Sequence, residues 1–118
     1  MNEINICPGV IHTEESYRVY CTLVQGASLS VLADTGIGKT DLKPYAEKKF
    51  FSPYIVINTH GHADHVGGNR FFESAYISEA DRHLAGPDAG RFDALVPGTV
   101  FDLGDDAARN PVLRYEFD

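Results

Sequence analysis

The chain has 118 residues, room for one small domain with a single core, and its 43% hydrophobic and 23% charged content excludes disorder throughout. Acids outnumber bases 17 to 10, a net charge of −7, and residues 61–118 carry most of the excess with 11 acids against 5 bases. That field repels a phosphate backbone and argues against nucleic acid as a partner. No apolar run approaches the ~20 residues of a membrane span, and Met1–Val10 lacks the basic and apolar regions of a secretory leader. A cytoplasmic chain with no membrane partner is expected. Cys7 and Cys21 lie far apart, without Cys-x-x-Cys spacing, and read as two thiols in a reducing compartment.

In chain order, Ile4–Ile6 predicts a short strand stopped by Pro8-Gly9. Tyr17–Val24 is rich in β-branched and aromatic residues, Gln25-Gly26 signals a turn, and Ser28–Ala33 alternates, so the pair predicts a hairpin. A polar strand end follows at Asp34-Thr35-Gly36-Ile37-Gly38. A helix is expected over Asp41–Phe50, capped by Thr40 or Asp41, with Pro44 tolerated in its first turn. Tyr54–Ile57 is wholly apolar, the pattern of an inner strand covered on both faces. Beyond it the sequence predicts a helix over Val66–Phe72, a strand at Ala75–Ile77, and a helix over Glu79–Leu84 capped by Ser78. The chain reads as loop from Ala85 onward, with weak strand candidates at Phe101–Asp105 and Leu113–Phe117.

Immediately after the apolar strand stands Asn58-Thr59-His60-Gly61-His62-Ala63-Asp64-His65, which holds three of the five histidines within six residues. Neutral imidazole and carboxylate are the ligands that zinc, iron and manganese take. His60 and His62 are two apart and project to one side in extended backbone. Asp64 and His65 are adjacent and are expected to diverge, which suits a second metal beside the first. The bland alternative is a solvated loop with Asp64 capping a helix, and the density of ligands after a buried strand end argues against it.

Thr59-His60-Gly61-His62-Ala63-Asp64-His65 resembles the signature of the metallo-β-lactamase-fold hydrolase superfamily. Leu32-Ala33-Asp34-Thr35-Gly36 is similar to that family's earlier strand-end aspartate motif. Gly67-Gly68-Asn69 and Ser78-Glu79-Ala80-Asp81 agree in order, and the resemblance spans roughly residues 4–105. It implies an α/β (α+β) chain folded as an αββα sandwich. It also implies two divalent metal ions, zinc first with iron or manganese as alternatives. His60 and His62 would hold the first ion, Asp64 and His65 the second, and Asp64 would also act in catalysis by holding the reacting water. Asp34 would orient the histidine loop by hydrogen bonding; a simple turn aspartate before Thr35-Gly36 is an equal reading.

The family completes its site with a third histidine, a bridging aspartate and a final histidine from later in the chain. After His65 this sequence has only His83, in Asp81-Arg82-His83-Leu84, which reads as a surface or packing residue. Asp102, Asp105 and Asp106 lack the context of the bridging aspartate. The expectation is therefore that residues 1–118 carry only the N-terminal half of one domain. Tyr20, Leu23, Val31, Leu32, Ile55, Val56 and Ile57 would then partly lack partners, and a homo-oligomer through the uncovered sheet face is expected. Two functions follow: a metal-dependent hydrolase of ester, thioester, lactone or amide bonds in a small-molecule substrate, or a metal-binding but catalytically incomplete protein acting by association. A nuclease of the same fold is disfavoured by the acidic balance.

Overall fold

The computed structural model describes residues 2–86, 92–95, 98–104 and 114–116. Seven strands form one sheet in sequence order: β1 (Glu3–Cys7), β2 (Val10–Ser16), β3 (Val19–Val24), β4 (Ser30–Ala33), β5 (Tyr54–Ile57), β6 (Ala75–Ser78) and β7 (Phe92–Leu95). β8 (Val100–Asp102) and β9 (Arg114–Glu116) pair antiparallel as a second, two-stranded sheet. The first four strands are an antiparallel meander joined by tight turns. From β4 onward the neighbours run parallel, each crossover carrying helical turns. Helix α1 (Lys43–Lys49) lies in the β4–β5 crossover. The β5–β6 crossover holds α2 (Ala63–Val66) and a 3₁₀ turn at Asn69–Phe71, and another 3₁₀ turn follows β6 at Arg82–Leu84. The arrangement is mixed α/β, an antiparallel meander continued by parallel crossovers.

Both faces of the large sheet are covered, because alternate residues of a strand point to opposite sides. On one face Leu23, Leu32 and Val56 pack with Leu42, Ala46 and Phe50 of the α1 segment, along with Cys21 and Ala75. On the other, Val31 and Ile57 pack against Leu103, with Ile55, Tyr76 and Phe101 around them. The rings of Tyr76 and Phe101 meet at 5.2 Å, which seats β8 on the face opposite α1. The expectation of bare strand residues is thus corrected. Leu23, Val31, Leu32, Val56 and Ile57 are all buried, Ile55 is half-buried, and only Tyr20 among the seven is exposed.

Several element boundaries differ from expectation for identifiable reasons. β2 was not predicted: its inward residues Thr13 and Glu15 are polar, yet both are buried. β3 begins at Val19, because Tyr17 and Arg18 form the β2–β3 turn, with Arg18 at φ 58°. Helix α1 begins at Lys43, since Leu42 takes the cap position and is buried in the core; Asp41 instead accepts the Lys43 N–H at 3.0 Å. The expected helix over Val66–Phe72 is divided between α2 and the 3₁₀ turn, with Gly67-Gly68 between them. The helix expected over Glu79–Leu84 shortens to a 3₁₀ turn, and β7 occupies a stretch read as loop. Asp105 and Asp106 lie outside the described residues, as do the ends of the Leu113–Phe117 candidate.

Candidate metal centre

The parallel strands β4, β5 and β6 end on the same edge of the sheet, and each continues directly into a segment of the site. Asp34 and Thr35 follow β4, Asn58 to His65 follow β5, and Asp81 follows β6. Crevices at the carboxyl ends of parallel strands are where open α/β sheets place their chemistry. A cleft of about 420 Å³ lined by Lys43, Glu47, Tyr54 and Phe72 includes the opposite end of β5, away from the histidines.

The pairing between strands continues past their ends. Asp34 N donates to Ile57 O at 2.7 Å and Asn58 N to Tyr76 O at 2.8 Å. Asp34 itself sits at φ 70°, a left-handed conformation that aspartate tolerates better than most residues. Its carboxylate is buried and engages the histidine loop at three points. Oδ1 accepts the Thr59 backbone N–H at 2.8 Å. Oδ2 accepts the Thr59 hydroxyl at 2.7 Å and His65 Nδ1–H at 2.9 Å.

In the loop, His62 is extended (φ −67°, ψ 147°) and its carbonyl accepts the His65 N–H at 2.9 Å, starting α2. The His60 ring lies 4.7 Å from that of His62, edge to face, and 4.0 Å from that of His65. The structure therefore brings His60, His62 and His65 together. Asp64 stands in the first turn of α2, and its Oδ2 is 3.7 Å from His65 Nε2. The polar tips of Asp64 and His65 stand close together rather than diverging as expected from their adjacency. Asp64 is exposed and His65 half-buried. His83 is exposed on its 3₁₀ turn.

The donor set suits a divalent ion. Two ligand atoms each ~2.0–2.2 Å from a zinc ion at tetrahedral angles lie roughly 3.3–3.5 Å apart. The His65–Asp64 separation of 3.7 Å is close to that. A histidine that donates Nδ1–H to a carboxylate keeps the Nε2 lone pair for a metal, the usual outer support of a metal-bound imidazole. The fit is pairwise: among the described residues, no three His, Cys, Asp or Glu side chains converge as a closed cage.

Behind the histidine loop lies a buried polar network that sequence reasoning missed. Thr35, Asn58 and Asn69 are 0%, 1% and 2% exposed, so their polar atoms have to be satisfied internally. Asn69 Oδ1 accepts from Thr35 Oγ1 at 2.7 Å and from Asn58 Nδ2 at 3.1 Å, and Asn69 Nδ2 donates to Asn58 Oδ1 at 2.7 Å. The network closes on the His65 carbonyl, which accepts Thr35 N at 3.0 Å and Asn58 Nδ2 at 3.2 Å. His65 is thus gripped at its backbone from one side and at its ring by Asp34. Gly68 lets the chain pass this close, since a Cβ there would collide with the Thr35 carbonyl. The sequence signal available was an asparagine directly after a wholly apolar strand.

Two further carboxylates brace the loops. Glu15 of β2 is buried and accepts three backbone N–H groups: Ile37 at 2.9 Å, Lys39 at 2.9 Å and Thr40 at 3.0 Å. It fixes the loop that Asp34 opens, and Arg70 adds a bond to Gly38 O at 2.8 Å. Asp81 Oδ2 accepts the Gly61 N–H at 3.2 Å, between the two first histidines. Burial, with Asp34 and Glu15 nearby, pushes the Cys21 thiol far up, so Cys21 stays protonated and inert.

A family model of the metallo-beta-lactamase superfamily matches residues 17–116, and the chain belongs to that superfamily. Among solved structures it is similar to a metallo-beta-lactamase from Pontibacter korlensis, with a TM-score of 0.63 and 21% identity. That match covers 85% of this chain and 54% of the other, so the chain spans about half the length of that structure. No curated protein matches the chain in sequence. Membership of the superfamily is consistent with metal-dependent hydrolysis, and its members typically bind divalent metals. No helix among the described residues is long and apolar enough to cross a membrane.

Proposed function

We propose that the protein is a metal-dependent hydrolase in which His60 and His62 hold one divalent ion and Asp64 and His65 a second. Zinc is the first choice, with iron or manganese as alternatives, since N/O ligands suit all three. The observation that carries the reading is the Asp34 carboxylate: it receives His65 Nδ1–H at 2.9 Å and so turns Nε2 toward Asp64. Divalent ions bound there would supply Lewis acidity, lowering the pKa of a water towards about 7 and polarising a carbonyl oxygen. The remaining work falls to the chain. Asp64 is exposed beside His65 and can hold the reacting water and accept its proton. Asp34, Thr59 and the Thr35–Asn58–Asn69 network keep the imidazoles in place. The substrate proposed is a small molecule with an ester, thioester, lactone or amide bond. A cytoplasmic setting is supported by two unpaired cysteines.

A second reading is favoured by the pairwise character of the donors. Without a third converging side chain among the described residues, the protein would bind metal loosely and act by association, including association with a second copy. Metal analysis and turnover separate the two. The purified chain should retain a transition metal, and the double substitution His60→Ala, His62→Ala should remove it; equal metal content in both would overturn the assignment. Chelator-sensitive turnover of an ester or thioester panel supports the hydrolase. Bound metal without turnover supports the second reading.

A further inference from the structure

We propose that the Thr59 hydroxyl relays Asp34 to His60, so that one carboxylate fixes the ligating nitrogen of two histidines, His65 directly and His60 through Thr59. The inference rests on the metal-centre reading above, and extends it to a positioning residue that ties the two halves of the centre together.

The argument is one of donors and acceptors. A carboxylate only accepts, so at 2.7 Å the Thr59 hydroxyl must give its single proton to Asp34 Oδ2. Its oxygen then has only lone pairs left to offer, and His60 Nδ1 lies 2.9 Å away. That contact is a hydrogen bond only if His60 Nδ1 carries the proton. A neutral His60 with its proton on Nδ1 has its lone pair on Nε2, as His65 does through its own bond to Oδ2 at 2.9 Å. The Thr59 backbone N–H, held by Oδ1 at 2.8 Å, fixes the residue on which the hydroxyl turns. An unconstrained neutral histidine side chain favours the opposite tautomer, with the proton on Nε2, so the relay selects a form that His60 would not favour on its own. The His62 ring has no such bond among the described residues, which makes it an internal reference. The relay also explains why a hydroxyl is useful at this position. It donates to the carboxylate and accepts from the imidazole, and so carries the carboxylate's acceptor character on to His60, which neither a methyl nor an ammonium group could do.

The test is nitrogen-15 NMR of the histidine rings in the metal-free, full 118-residue chain, at a pH well above the ordinary histidine value of about 6.5. The expected result is that His60 and His65 carry their proton on Nδ1 while His62 keeps the ordinary preference for Nε2. Thr59→Val should return His60 to the Nε2–H form and leave His65 unchanged, and Thr59→Ser should restore the wild-type pattern. Metal affinity, measured by chelator competition, should fall by about 10–100-fold in Thr59→Val and recover in Thr59→Ser. A proton on Nε2 of His60 in the wild-type chain overturns the relay without any variant, even if Thr59→Val fails to fold. An altered tautomer with unaltered metal affinity overturns its connection to the metal centre. If the wild-type chain takes up no metal, the hydrolase reading fails and the connection to a metal centre falls with it, while the tautomers still decide the relay itself.

Discussion

Replacing Asn69 by alanine removes three hydrogen bonds from a region closed to water: those to Thr35 Oγ1 at 2.7 Å, to Asn58 Nδ2 at 3.1 Å and to Asn58 Oδ1 at 2.7 Å. Thr35 Oγ1 and Asn58 Nδ2 can still reach the His65 carbonyl, at 3.3 Å and 3.2 Å. Asn58 Oδ1 has no second partner among the described residues and is orphaned. A net hydrogen bond is worth about 0.5–1.5 kcal/mol, and an unsatisfied buried acceptor costs about 1–3 kcal/mol. The two overlap, so the expected destabilisation is about 3 kcal/mol rather than their full sum. Against a typical total of about 5–15 kcal/mol that is a large fraction. In a chain of this size it corresponds to a fall in melting temperature on the order of 10–20 °C. With no tryptophan and six tyrosines, the natural assays are urea unfolding by circular dichroism and tyrosine fluorescence. The double change Asn58→Ala, Asn69→Ala should be no worse than additive, because it removes the orphan together with its partner. A loss below about 1 kcal/mol for Asn69→Ala would refute the view that this network is closed to water.

Glu15→Gln presents an amide to three backbone N–H donors that a carboxylate satisfies, and should destabilise by about 2–4 kcal/mol in urea unfolding; Glu15→Ala should be at least as damaging. Gly61→Ala would place a Cβ 2.6 Å from the Asp81 carbonyl and 2.7 Å from Leu84 Cβ, so the histidine loop has to shift. Metal affinity measured by chelator competition should drop for Gly61→Ala by about tenfold or more, with little change in melting temperature. Burial, and then Glu47, push the Tyr54 phenol up to about 12. The fold holds that proton more tightly than the unfolded chain does, so the associated stability is full below about pH 10 and is lost as pH rises towards 12. Ultraviolet titration should show late-ionising phenols, one of which Tyr54→Phe removes, since burial and the bond to Glu3 push the Tyr45 phenol up as well.

How much of the fold was legible depended on which residues face inward. Tyr54–Ile57 was readable as an inner strand because all four residues are apolar, and β5 does lie between β4 and β6. β2 was not, because Thr13 and Glu15 fill its inward positions and their burial depends on partners from distant segments. Helix α1 was legible in place but not at its start. The cap chemistry of Asp41 is local, whereas the burial of Leu42 against Leu32 and Val56 is a tertiary effect that sets the first turn. The expectation of a bare sheet face failed similarly, since nothing local announces that Leu103 and Phe101 fold back onto Val31 and Ile57.

The site divides along the same line. Density alone singles out His60, His62, Asp64 and His65, because metal-ligand residue types are rare enough that four of them within six positions stand out. The groups that hold them are ordinary polar residues at strand ends, and a polar residue at a strand end reads as a loop. Asp34 shows what turns such a residue into a support. Its left-handed backbone aims the carboxylate across to the segment after β5 instead of out to solvent. There two oxygens receive three donors, and a third oxygen from Thr59 extends the reach to His60. None of that geometry exists until β4 and β5 are in parallel register, Ala33 opposite Ile57, which is what places Asp34 beside the histidine loop. The candidate ligands are therefore a property of a short sequence segment. Their orientation is a property of the sheet, which brings the Asp34 carboxylate to a Thr59 hydroxyl 25 positions further along the chain.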